Sequence, residues 1–430
     1  MGAHSHVTTG TTHPGRTDAA ECDGGASPAS NASGAAPLGI YGKSSPASQA
    51  VRRENYALQS AARKLRRGLP VARCLRWAVP KRHISIMHST EFGRAFYAGL
   101  ETCGSVWECP VCASKISERR RAEILAAMTS WRCSGGQVLL LTLTSPHYFG
   151  DNLRALLDGQ AQALRRFTST REAKRLFEDI GLEGMIRALE VTYGNNGWHP
   201  HHHALLFVPA GLDLDRARRQ FYSLWSNACR LAGLPAPSFT HGVTLQDGTY
   251  ADRYVSKWGL ENEVTKGHIK KGKQGGRTPF DLLRDYRNGD KQSGALYVEY
   301  ANAFKGKRQL VWSKGLKARF AIADLNDEEL SARADEDAEH GHELERDDWK
   351  LILSNDIRAE ILEAFENGGA YEVAHVLSWY RQDVSPAGDT AEDERLLRLL
   401  ALADEMGWTL DRLVEFVRWN DSEASCSSAR

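Results

Sequence analysis

Residues Arg187 to Val208 read RALEVTYGNNGWHPHHHALLFV, two runs of alternating apolar character on either side of Gly-Asn-Asn-Gly. No other stretch restricts the fold as strongly. The pattern predicts two antiparallel strands joined by a tight turn. Successive side chains on a strand face opposite sides, so His201 and His203 share one face while His202 and Ala204 share the other. A two-residue loop at Asn195-Asn196 sets Glu190 across from His201, and a loop at Asn196-Gly197 sets it across from His203. A three-residue loop would turn Glu190 toward His202 and dissolve the arrangement. In both two-residue registers a carboxylate stands about 5 Å at Cβ from an imidazole, close enough for Glu190, His201 and His203 to share one ion.

A length of 430 residues, 42% of them hydrophobic, with a net charge of +1 suffices for two or three domains with cores of their own. No run of eighteen apolar residues occurs, which predicts no membrane span. Residues 1–50 are mostly Gly, Ser, Ala and Thr with scattered His, and read as a disordered tail without the apolar core of a signal peptide. A cytoplasmic protein is expected. Its eight cysteines are then metal ligands or buried thiols rather than disulfides.

Residues 51–132 form a basic, cysteine-rich region. Arg52, Arg53, Arg63, Lys64, Arg66 and Arg67 lie in a helix-compatible run that is either a solvated face or a phosphate-contacting one. Cys109-Pro-Val-Cys112 allows two thiolates to reach one ion, and Cys103 lies within a short loop of them. Cys74 is the first choice for the fourth ligand, ahead of His88 and His83. The site would be structural Zn²⁺, folding a segment with little core of its own. A reduced thiol pair or redox motif is the competing reading.

Residues 133–320 carry the chemistry. Just before them Ser117–Thr129 reads as an Arg-rich helix, and within them Gln137–Thr144 reads as a buried central strand. Between Asn152 and Phe177 one or two helices are expected, and Asp213–Leu231 is amphipathic. Thr249 with Asp252 suggests a capping box opening a helix. Along that helix Tyr250, Tyr254 and Trp258 recur every four residues, with Lys257 three after Tyr254. Aromatics at this spacing are by themselves more often core than catalytic. From Tyr250 to Phe320 there are sixteen Lys or Arg against seven Asp or Glu, a net +9. Lys266, Lys270, Lys271, Lys273 and Arg277 make the loop after the helix a candidate DNA contact. Residues 321–350 invert this with twelve acids against three bases, and read as a solvated linker helix. Residues 351–430 read as a helical module in which Gly407 would permit a helix-turn-helix.

Three strings together resemble one family. WHPHHHALLF resembles the His-hydrophobe-His strand of rolling-circle replication and mobilisation endonucleases, here with His202 in the hydrophobe's place. Thr142-Leu-Thr-Ser-Pro-His147 resembles their first motif, and YVSK (Tyr254 to Lys257) resembles their tyrosine motif. CGSVWECPVC and GRTPFDLL are similar to plasmid initiators of actinomycete type. The resemblance implies an α+β HUH endonuclease fold, a central antiparallel sheet of about five strands with helices on one face. It implies Tyr254 as nucleophile, Lys257 as its helper, Tyr250 as a candidate second tyrosine, and Mg²⁺ or Mn²⁺ on Glu190, His201 and His203. His147 would contact DNA, approach the metal, or do neither. The implied activity is nicking of single-stranded origin DNA with a 5′-phosphotyrosine intermediate, a 3′-OH primer for rolling-circle plasmid replication, and later strand rejoining. Host helicase and polymerase are the implied further partners. A two-tyrosine transposase, or a non-enzymatic zinc-containing regulator in which Tyr254 is core, are the alternatives.

Overall fold

The computed structural model describes residues 45–89, 94–257, 276–332 and 338–382. Trp258 and Lys266 to Lys273, and the Gly407 turn, lie outside the described residues. Eight strands are described: β1 Ile84–Ser89, β2 Arg94–Ala98, β3 Gly136–Thr144, β4 Gly184–Gly194, β5 Gly197–Pro209, β6 Val243–Gln246, β7 Leu310–Trp312 and β8 Ala338–Leu344. They form two antiparallel sheets, one ordered β6-β3-β5-β4-β7 and a smaller one ordered β2-β1-β8. Helices accompany both, so the fold is α+β.

Alternation along the central strands builds two apolar layers. Leu139, Leu141, Leu143, Leu206 and Val208 face Phe167, Leu176, Phe221 and Trp225 from the helices Leu153–Ser169, Arg171–Asp179 and Leu214–Leu231. Val138, Leu140, Ile186, Leu205 and Phe207 face Ile124, Met128, Ala251 and Val255 from the helices Pro110–Cys133 and Gly248–Lys257. The large sheet is thus covered on both faces, not on the one face expected. The unbroken run LLL in β3 requires this, because a strand apolar on both sides has to be shielded on both.

β4 and β5 pair through eleven residues, and Gly194 opposes Gly197, so the loop is Asn195-Asn196. The left-handed residue of the turn is Gly197, at φ 80°. A Cβ there would also come within 3.2 Å of the Tyr148 carbonyl. A side chain here would be strained by the backbone angle and tight against that carbonyl.

The acidic stretch is not a linker helix. Residues Asp327–Ala332 form one short helix, and β8 follows as an edge of the smaller sheet, paired with β1. Beyond it, the helix Arg346–Ser354 and the long run Arg358–Gln382, broken at Gly368 and Gly369, cover that sheet with Trp349, Ile352, Ile361, Val376 and Leu377. The opening basic helix Pro46–Leu65 packs here as well: Arg52 pairs with Glu366 and Arg53 with Glu363. Half of its basic run is therefore neither solvated nor free for phosphate, since Arg66 is also buried against Glu108.

Candidate metal and tyrosine site

Glu190 on β4 sits directly opposite His201 on β5, and His203 is two residues further along the same face. Going along β5 on that face, apolar Phe207 and Leu205 give way to His203, His201 and His199, so the site lies where the hydrophobic layer ends. Nε2 of His201 and of His203 stand 3.4 and 3.5 Å from Glu190 Oε2. Those are close to the separations that three donors about 2.0–2.2 Å from one ion impose on each other.

The other ring nitrogens are held from behind. His201 Nδ1 lies 3.2 Å from the His199 carbonyl. A carbonyl can only accept, so the hydrogen bond here is donated by Nδ1, and it turns Nε2 toward Glu190. His203 Nδ1 meets Thr142 Oγ1 of β3 at 2.9 Å. Burial resists ionisation of Glu190, but hydrogen bonds with His201 and His203 outweigh it and hold the carboxyl well below its usual range. His202 faces the other way and is buried, which pushes its imidazole down to about 3. It is thus a neutral core residue.

The helix Gly248–Lys257 lies over this face of the sheet. Its opening is capped by Asp247, whose Oδ1 accepts from the amides of Thr249 and Tyr250, rather than by the expected Thr249–Asp252 box. Asp252 instead pairs with Arg132. Nearly two turns into the helix, Tyr254 lies against His203 with ring centroids 4.7 Å apart and planes tilted by 44°, and its hydroxyl donates to Glu190 Oε1 at 2.6 Å. Glu190 therefore turns one oxygen to the two imidazoles and the other to the phenol. Tyr250 is 45% exposed, with the Arg253 guanidinium over its ring. Lys257 ends the helix, and its side chain lies outside the described residues. Of the five basic residues expected to contact DNA, Arg277 alone is described. It is bound to Asp285 and Ser293 and covers the Tyr193 ring, so it braces the hairpin.

Cys74, Cys103, Cys109 and Cys112 come together, all four Sγ atoms within 4.8 Å of one another. Separations of 3.5, 3.7 and 3.8 Å join Cys74 to Cys112, Cys103 to Cys112 and Cys109 to Cys74. A tetrahedron with metal–sulfur bonds of about 2.3 Å has edges of about 3.8 Å. Cys109 stands at the N-terminus of the helix Pro110–Cys133 and accepts from Gln59 Nε2 at 3.2 Å. Although burial raises its thiol, hydrogen bonds from the other three thiols and from the Cys112 amide hold it well below the usual thiol range. Gln59 in turn accepts from the fully buried Arg358 at 2.6 Å, which ties the cysteines to the smaller sheet's helices. His83 and His88 are not in the cluster.

The sequence pattern assigns no role to His199, Asp247 or Gln59, and marks Thr142 only as the start of a motif. Thr142 was recoverable from pairing alone, as the direct partner of His203 across β3 and β5.

The family model described as replication protein matches residues 97–360. The chain belongs to the replication protein family. The matched range holds Glu190, His201, His203, Tyr254 and three of the four clustered cysteines. The chain is also similar to protein rep of Streptomyces lividans, 29% identical over 399 residues, covering 74% of this chain and 84% of that relative. It is 37% identical over 150 residues to a neomycin resistance protein of Streptomyces cyanogenus, covering 29% of this chain and 34% of the relative. No solved structure matches. The family match and the S. lividans relative bear out the expected plasmid replication initiator of actinomycete type. Among the described residues, no helix is long and apolar enough to cross a membrane.

Proposed function

We propose that this replication protein is an HUH-type endonuclease that nicks single-stranded plasmid origin DNA with Tyr254 and initiates rolling-circle replication. One observation carries the reading: the Tyr254 hydroxyl and the His201 and His203 Nε2 atoms converge on the two oxygens of a single carboxylate, Glu190.

Glu190, His201 and His203 would hold Mg²⁺ or Mn²⁺, which neutralises charge on the scissile phosphate when bound. Tyr254 Oη attacks the phosphorus, the Tyr–O–P bond forms, and the P–O3′ bond breaks. The departing 3′ oxygen takes a proton from water and becomes the primer 3′-OH. A phenol is a weak nucleophile near neutrality because its pKa is about 10. Glu190 Oε1 already accepts the phenol's hydrogen bond and so orients Oη, and the phenol proton passes to water as the Tyr–O–P bond forms. Lys257, one turn on, is the helper that would lower the phenol pKa or hold the phosphate. The phosphotyrosine keeps the phosphodiester energy, so the reverse attack by a 3′-OH rejoins the strand. The four cysteines would hold a structural Zn²⁺, and Lys266, Lys270, Lys271 and Lys273 would contact the DNA backbone. Origin DNA is the substrate, with host helicase and polymerase acting on the opened product in the cytoplasm.

Covalent capture tests this. The protein is mixed with Mn²⁺ and single-stranded oligonucleotides tiling the plasmid DNA beside the gene, resolved on a denaturing gel, and the adducted peptide is mapped by mass spectrometry. An adduct on Tyr254 that EDTA abolishes is expected. Tight duplex binding without an adduct on any tile would instead favour the non-enzymatic regulator.

A further inference from the structure

We infer that Tyr148 and Phe149 form a base-stacking platform that receives the single strand where it leaves the Tyr254 site. The inference rests on the single-stranded DNA substrate proposed above. Among the described residues few large aromatics are exposed, yet Tyr148 is 62% exposed and Phe149 is 74% exposed, side by side. They are not on a slack loop. The Tyr148 amide donates to Asp151 Oδ2 at 2.8 Å, the Asp151 amide donates back to the Tyr148 carbonyl at 3.1 Å, and Asn152 then caps the helix Leu153–Ser169. The turn is fixed with two rings turned to water, a costly arrangement for a protein without a ligand there.

Its position relates it to the site. The backbone of Tyr148 and Phe149 lies against Gly197 at the hairpin tip, where an added Cβ would stand 3.2 Å from the Tyr148 carbonyl. The preceding residue, His147, stacks on His199 with centroids 4.5 Å apart and planes at 13°. His199 lies 5.0 Å from His201, and His201 lies 4.9 Å from His203, the neighbour of Tyr254. A chain of neighbouring rings therefore runs from the phenol to His147, the residue just before the two exposed aromatics. From His203 to Gly197 is six residues of strand, about 20 Å at 3.4 Å per residue. That is room for a few extended nucleotides. Rings exposed at the end of such a track suit unpaired bases, which stack on aromatic faces with little regard to sequence. Paired duplex would present its backbone instead and gain nothing from them.

The test separates stacking from charge and from chemistry. Fluorescein-labelled dT20 and a 20-mer of abasic spacers, equal in charge, are bound to the full-length protein without added Mg²⁺ or Mn²⁺, and the ratio of the two affinities is measured by anisotropy. Wild type is expected to prefer dT20, and Tyr148→Ala combined with Phe149→Ala is expected to reduce that preference about tenfold or more. Tyr148→Phe with Phe149→Tyr should restore it, which a merely misfolded loop would not allow. An unchanged ratio in the double alanine variant overturns the platform. Because the readout needs neither the catalytic metal nor cleavage, a failure of tyrosine chemistry appears only in covalent capture, and the two readings fail separately.

Discussion

The hydroxyl of Thr142 meets Nδ1 of His203 at 2.9 Å, across a ladder in which the two residues are direct partners. Partners of this kind fix the orientation of a ligating imidazole. Thr142→Val keeps the β-branched shape and removes the hydroxyl, so Mn²⁺ affinity measured by calorimetry should fall about 10- to 100-fold. Thr142→Ser should recover most of it. Equal affinity in wild type and the valine variant would mean that the hydroxyl does no orienting.

Tyr254 contributes a ring to the layer around His203 and a hydroxyl to Glu190. Tyr254→Phe should keep the ring packing, leave the melting temperature within a few degrees, and lower nicking by more than about 1,000-fold. Tyr250→Phe should leave the first nick intact, since that ring lies exposed under Arg253. Persistent adducts in Tyr254→Phe would move the nucleophile elsewhere.

The four cysteines predict one zinc per chain by elemental analysis after purification without chelator. Cys112→Ala should remove it and lower the melting temperature by about 5–10 °C, because binding to such a site is folding free energy. A zinc-free protein that melts at the same temperature as the loaded one would leave the cluster without a structural metal.

Glu360 gives a pH signature. Burial pushes its carboxyl up to about 8, with Glu363 adding to the shift while the Tyr380 hydroxyl and Arg53 oppose it. The folded chain thus keeps a proton that the unfolded chain releases near 4.5. Its contribution to stability is complete below that point and is lost as pH rises toward 8, by up to about 1.4 kcal/mol per pH unit in the window. Glu360→Gln should flatten the fall of melting temperature between pH 5 and 8. A slope identical to wild type would show that the carboxyl titrates normally.

Short-range pattern made the hairpin legible. Period-two alternation and the Gly-Asn-Asn-Gly turn leave two registers that share a face among Glu190, His201 and His203, and the chain adopts the one with Asn195-Asn196 as the loop. Spacing likewise singled out Cys103, Cys109 and Cys112, while Cys74 was chosen by donor type. The smaller sheet was not legible. Its edge strand β8 reads AEHGHEL and is mostly exposed, so it has no apolar signature, and its partner β1 lies some 250 residues earlier. Charge counting misled for a related reason. Arg52, Arg53 and Arg277 looked like a surface for phosphate, but each meets a carboxylate distant in sequence or set by tertiary packing. The Thr249–Asp252 cap lost to Asp247 because one residue's shift in helix start changes which side chain can reach the free amides.

The pairing of β1 with β8 also sets a schedule for synthesis. Until residue 338 has been made, β1 has β2 on one side and an open row of amides and carbonyls on the other. The large sheet, complete by Trp312, can close first around local contacts. The amino-terminal strands wait for a partner from the far end of the chain. A nascent or truncated chain that stops short of β8 therefore displays a sticky edge to its neighbours, and aggregation of such fragments would begin at residues 84–89.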